Sequence, residues 1–174
     1  DMTLEELADA IHAARHALAP NAGNIPAPWI TWTGGEPMLQ LTPEVTKWFR
    51  DRDWKQSIES NGNHTIPKGM VDWVVVSPKV ADHVVLAKFG AGKGHINELR
   101  YVRHKGHQSV PEPAITADTY FISPIFDGET ADPAAIAHCV RLALANPQCR
   151  RSVLLHNTLT ALTQRQPKTS HGRP

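Results

Sequence analysis

Short apolar strands that each stop at a polar, Gly- or Pro-containing turn recur along this chain, with helices or long connections between them. Trp29-Ile30-Thr31-Trp32-Thr33 is β-branched and aromatic, a strand by composition, and it runs straight into Gly34-Gly35-Glu36-Pro37. Residues 56–60 stop at Asn61-Gly62-Asn63, and residues 73–76 stop at Ser77-Pro78. Residues 98–102 and 119–123 read the same way, the second stopped by Pro124, and 152–155 reads as a last short strand. Strands that alternate with helices in this fashion predict parallel βα units and an α/β fold. Ligands of such sheets and barrels sit at the carboxyl ends of the strands. Functional residues are therefore expected in segments 33–37, 59–62, 77–79 and 123–127.

The helices between these strands carry their own start signals. Thr3-Leu4-Glu5-Glu6 is a capping box, followed by Leu4, Leu7, Ile11 and Leu18 on one face with Ala14 between them. Pro20 and Gly23 are expected to end that helix. Thr42-Pro43 predicts a second helix with Val45, Trp48 and Phe49 as its buried face. Asp132-Pro133 predicts another, whose buried face is Ile136, Val140 and Leu144. Trp29, Trp32, Trp48 and Trp73 fall in these elements and are expected in the core.

Composition narrows the class of function. Eighteen Lys/Arg against seventeen Asp/Glu, with 41% apolar residues, exclude a disordered chain and a strongly basic nucleic-acid binder. A length of 174 residues fits one domain with a core of its own. The apolar runs around Val74 and Val84 are too short to span a bilayer, and residues 1–18 are charged where a signal peptide is apolar. Two cysteines cannot make a disulfide framework and suit a reducing cytoplasm. The chain opens on Asp1, which reads as a processed start or a piece of something longer. Residues 1–157 are expected to form the folded domain, with 158–174 a disordered polar tail.

Taken in order, the strand-ending turns carry a resemblance. The segments are Thr33-Gly34-Gly35-Glu36-Pro37, Glu59-Ser60-Asn61-Gly62, Asp72-Trp73-Val74-Val75-Val76-Ser77-Pro78-Lys79 and Glu98-Leu99-Arg100-Tyr101-Val102. Tyr120-Phe121-Ile122-Ser123-Pro124 and Asn146-Pro147-Gln148 continue the series. Together they resemble the radical S-adenosylmethionine enzymes and, within them, the 7-carboxy-7-deazaguanine synthase family. The fold this implies is a partial parallel (β/α) barrel, incomplete at the N-terminus.

The resemblance implies S-adenosylmethionine as cofactor, with Gly34, Gly35 and Glu36 around its methionine amino group. Ser77, Pro78 and Lys79 would serve the cofactor carboxylate, where a hydroxyl beside an ammonium makes a sensible anion site. Glu59 matches a ribose-side or cofactor-side carboxylate, with Ser60 where the family has Thr. Ser123, Pro124, Ile125 and Phe126 match the adenine-side turn, and Thr33 matches a contact to the pterin substrate. The implied activity is ring contraction of 6-carboxy-5,6,7,8-tetrahydropterin in queuosine precursor synthesis, a lyase reaction in the cytoplasm. A homodimer and an electron donor such as flavodoxin come with the family; direct nucleic-acid or membrane contact does not.

One family feature has no counterpart. A [4Fe–4S] cluster with an open iron is held by three cysteines in a Cys-x3-Cys-x2-Cys loop, and this chain has no such loop. Cys139 reads as a small core hydrophobe and Cys149 as a packing residue where relatives carry Trp. In relatives the cluster loop lies upstream of the segment matching residues 2–18, together with the hydroxyl that binds Mg2+. The expectation is thus a chain without cluster or magnesium ligands, and the alternative function is an inactive remnant that binds S-adenosylmethionine or a partner weakly. At the other end Arg150, Ser152 and His156 keep family positions, while the neighbouring Trp, Gln, Thr and Lys do not occur.

Two further clusters take bland readings. His104-Lys105-Gly106-His107, with His95 upstream, lacks the companion ligands of a metal motif and reads as a solvated loop. Gly90-Ala91-Gly92-Lys93-Gly94 misses both phosphate-loop spacings and reads as a surface loop.

Overall fold

A computed structural model of the chain describes residues 2–18, 29–90, 92–107, 115–127 and 130–151. Its contacts divide the chain into two units, Asp1–Asn97 and Glu98–Pro174. Among the described residues, no helix is long and apolar enough to cross a membrane.

The first unit begins with α1 (Leu4–Leu18). The capping box forms as expected: Thr3 N donates to Glu6 Oε2 at 2.7 Å and Glu6 N to Thr3 Oγ1 at 3.2 Å. Next come β1 (Trp29–Trp32), a 3-10 turn (Pro37–Leu39), α2 (Pro43–Arg50), β2 (Lys55–Ser60), β3 (Trp73–Val76) and α3 (Asp82–Phe89). β1, β2 and β3 lie side by side and parallel. Thr42 caps α2 by accepting from Val45 N, with Pro43 at the first helical position.

The core between α1, α2 and the strands is aromatic. Phe49 is fully buried and meets Trp32, Trp48 and Trp54 edge-to-face, with ring centres 5.4, 4.9 and 5.3 Å away. Leu4, Leu7 and Ile11 pack onto it as the sequence predicts, whereas Ala14 faces solvent. The tryptophans depart from expectation. Trp29 is 57% and Trp73 39% exposed, Trp32 and Trp48 are half-buried, and the buried one is Trp54. Trp29 and Trp73 stand at strand starts, and β1 pairs on one side only among the described residues.

The second unit contains β4 (Glu98–Arg103), β5 (Thr119–Pro124), a two-residue ribbon of β6 (Phe126–Asp127) and β7 (Thr130–Ala131), α4 (Pro133–Ala145) and β8 (Cys149–Arg151). β4, β5 and β8 are again parallel, in that spatial order. Asp132 caps α4 through its carboxylate on Ala134 N at 3.0 Å. The buried face of α4 is Ala135, Cys139 and Leu142, against Ile122 and Cys149, and not the predicted Ile136, Val140 and Leu144. Ile136 and Leu144 are exposed, Leu144 to 77%. The expected strand at 152–155 lies outside the described residues, as does the tail; the strand that forms is β8.

Candidate functional site

In the first unit the strand register sorts the predicted residues onto two faces. Thr31, Ser57 and Trp73 are neighbours on one face, followed one pleat later by Glu59 beside Val75. Thr33 and Ser77 continue those rows just beyond β1 and β3. The opposite face carries Trp32, Ile58 and Val74, then Ser60 beside Val76. Thr33, Glu59 and Ser77 thus share one face at the carboxyl ends of three adjacent strands, and Ser60 lies on the other.

β1 ends at a turn that needs glycine. Gly34 and Gly35 have φ of +89° and +54°, in the left-handed region that L side chains rarely adopt. A Cβ on either would have nothing within 4 Å, so this backbone is open to approach. The turn borders a cavity of about 330 Å³ lined by Trp32, Thr33, Gly34, Glu36, Pro37 and Gln40, among others. That lies at the small end of the roughly 300–1,000 Å³ that small-molecule sites occupy.

Glu36, only 7% exposed, turns its carboxylate inward. Its Oε1 accepts from Met38 N at 3.2 Å and from Ser60 Oγ at 3.0 Å. Its Oε2 accepts from Asn61 N at 2.7 Å and lies 3.2 Å from the same Ser60 hydroxyl. A carboxylate offers about four lone-pair sites, so Glu36 has at most one left for a ligand ammonium. The turns after β2 and β3 join the same set. Ser60 Oγ accepts from Gly62 N at 3.1 Å, Ser60 O accepts from Ser77 N at 2.8 Å, and Asn61 O accepts from Lys79 N at 3.1 Å. Gly62 has φ +81°, and its backbone passes so close to Val76 and Val85 that a Cβ would sit 3.1 Å from each.

The ends of the three strands are therefore one hydrogen-bonded assembly. Within it Ser77 and Pro78 are half-buried and the Lys79 side chain is exposed. Sequence reasoning placed Glu36 and Lys79 at ligand groups and named Ser60 only as standing where the family has Thr; that Ser60 and Asn61 tie the turns together comes from the structure. The available signal was a hydroxyl two residues before a glycine, at the end of a strand parallel to the glycine-turn strand.

In the second unit, Ser123 and Pro124 are buried at the end of β5, beside Val102 and Arg103 of β4. Ile125 N donates to Arg103 O at 2.8 Å, leaving the Ile125 side chain exposed and Phe126 half-buried. These are apolar surfaces of the kind a base can rest on.

The cysteines do not fit an iron–sulfur cluster. Cys139 and Cys149, the only two in the chain, are buried together with Ile122 and Leu142. The Cys139 thiol lies 3.8 Å from Arg103 O. Burial pushes both thiols above their ordinary value, an effect that the Arg103 charge only partly offsets. Cluster ligands are thiolates, and this environment disfavours the thiolate. Nor, among the described residues, do three His, Cys, Asp or Glu side chains come together as a metal site. His104 and His107 stack at 3.9 Å, but each Nδ1 accepts a backbone N–H, from Gly106 and His104 respectively. In a neutral ring that leaves Nε2 protonated and without a lone pair for a metal.

Parallel strands alternating with helices give both units an α/β fold, and the first adds a left-handed glycine turn beside a small cavity and strand-end turns joined by hydrogen bonds. The crystal structure of QueE from Escherichia coli shares this fold, with a TM-score of 0.55 at 18% identity over 87% of this chain and 63% of that one. No family model matches the chain. Several 7-carboxy-7-deazaguanine synthases do. That of Caulobacter vibrioides is 35% identical over 135 residues, 75% of this chain and 58% of the relative. That of Bradyrhizobium diazoefficiens is 31% identical over 156 residues, 88% and 66% respectively. That of Bordetella pertussis is 34% identical over 144 residues, 80% and 63%. The chain belongs to the 7-carboxy-7-deazaguanine synthase family, and the matches span between 58% and 66% of these relatives' length.

Proposed function

We propose that this chain carries the S-adenosylmethionine-receiving face of a cytoplasmic 7-carboxy-7-deazaguanine synthase. The carrying observation is the open Gly34–Gly35 turn, fixed through Glu36 to the turn after β2, whose Ser60 and Asn61 carbonyls hold the turn after β3. On this reading the exposed Lys79 ammonium and Ser77 take the cofactor carboxylate, and the backbone of Gly34 and Gly35 takes its ammonium. Glu59 serves the ribose, Ser123 to Phe126 the adenine, and Thr33 the pterin. The full reaction converts 6-carboxy-5,6,7,8-tetrahydropterin to 7-carboxy-7-deazaguanine with loss of ammonia, in a homodimer served by a donor such as flavodoxin. Its cluster and Mg2+ would need ligands other than the side chains described above.

A second reading is a binding module without turnover, and the core position of both cysteines favours it. A few charge-assisted hydrogen bonds, each worth about 1.5–3 kcal/mol before the cost of association, support affinity near the millimolar level. Ligand-observed NMR with S-adenosylmethionine tests the site. Saturable binding, weakened severalfold by Lys79→Ala and by Gly34→Val, is expected. Binding indifferent to both substitutions would show that the motifs are turns and nothing more. An anaerobic assay for 7-carboxy-7-deazaguanine with substrate and reductant separates enzyme from module.

A further inference from the structure

The three strand-end turns meet at one residue whose role the family resemblance does not assign. Ser60 is 2% exposed, and its hydroxyl both donates to the Glu36 carboxylate and accepts from Gly62 N. Its carbonyl accepts from Ser77 N, so one residue touches the turns after β1, β2 and β3. We infer that Ser60 is a positioning residue, holding the Gly34–Glu36 turn in register with the Ser77–Lys79 turn so that both can meet one ligand's amino acid end. The inference rests on the reading of the site as an S-adenosylmethionine site, and deepens it.

Consider the site without that hydroxyl. Glu36 keeps only Met38 N and Asn61 N, and the Gly62 N–H loses its acceptor in a buried place. Gly34 and Gly35 gain nothing in return, because a Cβ at either would meet no atom within 4 Å. The amino acid end of the ligand then meets a turn that must be ordered on binding, while an adenosyl group, received by other residues, does not. Ser60 would accordingly affect S-adenosylmethionine and spare a ligand that lacks the amino acid.

Two measurements on Ser60→Ala and Ser60→Thr test this. The first compares affinities for S-adenosylmethionine and for 5′-methylthioadenosine, which has the adenosyl group and no amino acid. Ser60→Ala is expected to weaken the first about tenfold, as losing a buried bond to a charged group does, and the second less than twofold. Ser60→Thr, which keeps the hydroxyl, should restore most of the loss. The second measurement is amide hydrogen exchange in the free protein. Met38, Asn61 and Gly62 should exchange at least tenfold faster in Ser60→Ala, with Ser77, whose amide bonds the retained Ser60 carbonyl, and the α2 and β3 amides unchanged. Equal loss for both ligands would reduce Ser60 to general packing, and unchanged exchange at Met38, Asn61 and Gly62 would overturn the inference outright. A wild-type chain that binds neither ligand sinks the reading of the site, while the exchange data still decide whether Ser60 holds the turns.

Discussion

Gly62 bears two constraints that fall separately elsewhere in the chain. Its left-handed φ alone strains an L residue by about 1–3 kcal/mol. The 3.1 Å approach of its absent Cβ to Val76 and Val85 adds a steric demand on packed side chains. Gly62→Ala should therefore lower stability by at least about 2 kcal/mol in urea denaturation, read as a lower midpoint at unchanged slope. At Gly34 there is strain without crowding, so Gly34→Asn, which tolerates the left-handed region, should cost under about 1 kcal/mol. Cys139 and Cys149 make a different kind of prediction. Burial raises both thiols, so the folded state favours the neutral form. Their contribution is complete below the ordinary thiol value, 9.0 here, and is lost as pH rises through the raised folded value. The wild type should lose stability between pH 8 and pH 10.5 by more than Cys139→Ala/Cys149→Ala does; parallel pH curves for the two would contradict the assignment.

Helix α4 shows how far an element can be read from its residues and where reading stops. Asp132-Pro133 fixed its start in advance, because a cap and a ring-locked φ are local chemistry. Its phase was not local. Ile136, Val140 and Leu144 recur at helical spacing, but so do Ala135, Cys139 and Leu142, and a helix that is apolar nearly all round does not declare a face. The small pair Ala135 and Cys139 faces the strands because they allow close approach. Leu142→Ala should cost about 2–3 kcal/mol and Leu144→Ala no more than about 0.5 kcal/mol, measured side by side by chemical denaturation. The reverse ranking would restore the predicted face. The strands were legible for the same local reason as the cap: β1 to β5 begin and end within one residue of their expected bounds, and all but β4 stop at or within two residues of a Gly or Pro. The burial of their tryptophans was not, since it depends on which neighbours a strand has. After β4, the His104–His107 turn adds a pH dependence. Burial, and then the charges of His104, Arg103 and His138, hold the His107 imidazolium below its usual range. The turn is stable above pH 6.5 and should loosen as pH falls through the lowered value, visible as faster exchange of the His104 amide that bonds His107 Nδ1.

For the molecule as a whole, the turns of the site were legible and the bonds between them were not. Gly34-Gly35-Glu36-Pro37 announces a turn from composition, but Glu36 meets Ser60 across 24 residues, and only the parallel register of β1 and β2 creates that meeting. The cysteines speak at this scale too. Anaerobic incubation with iron and sulfide should leave no stable cluster absorption, and desalted protein should hold no stoichiometric iron. Iron retained by the wild type and lost in Cys139→Ala would show that the core opens to supply ligands. The buried carboxylate has one last consequence, for folding fidelity. Side chains alternate along β2, so sliding that strand by one residue against β1 brings Glu59 where Ser60 belongs. Two carboxylates would then face each other away from water, where one must take up a proton or repel the other, a cost added to that of the lost packing. Misregistered chains are penalised at the moment they try to close, and the site acts as proofreader of its own assembly.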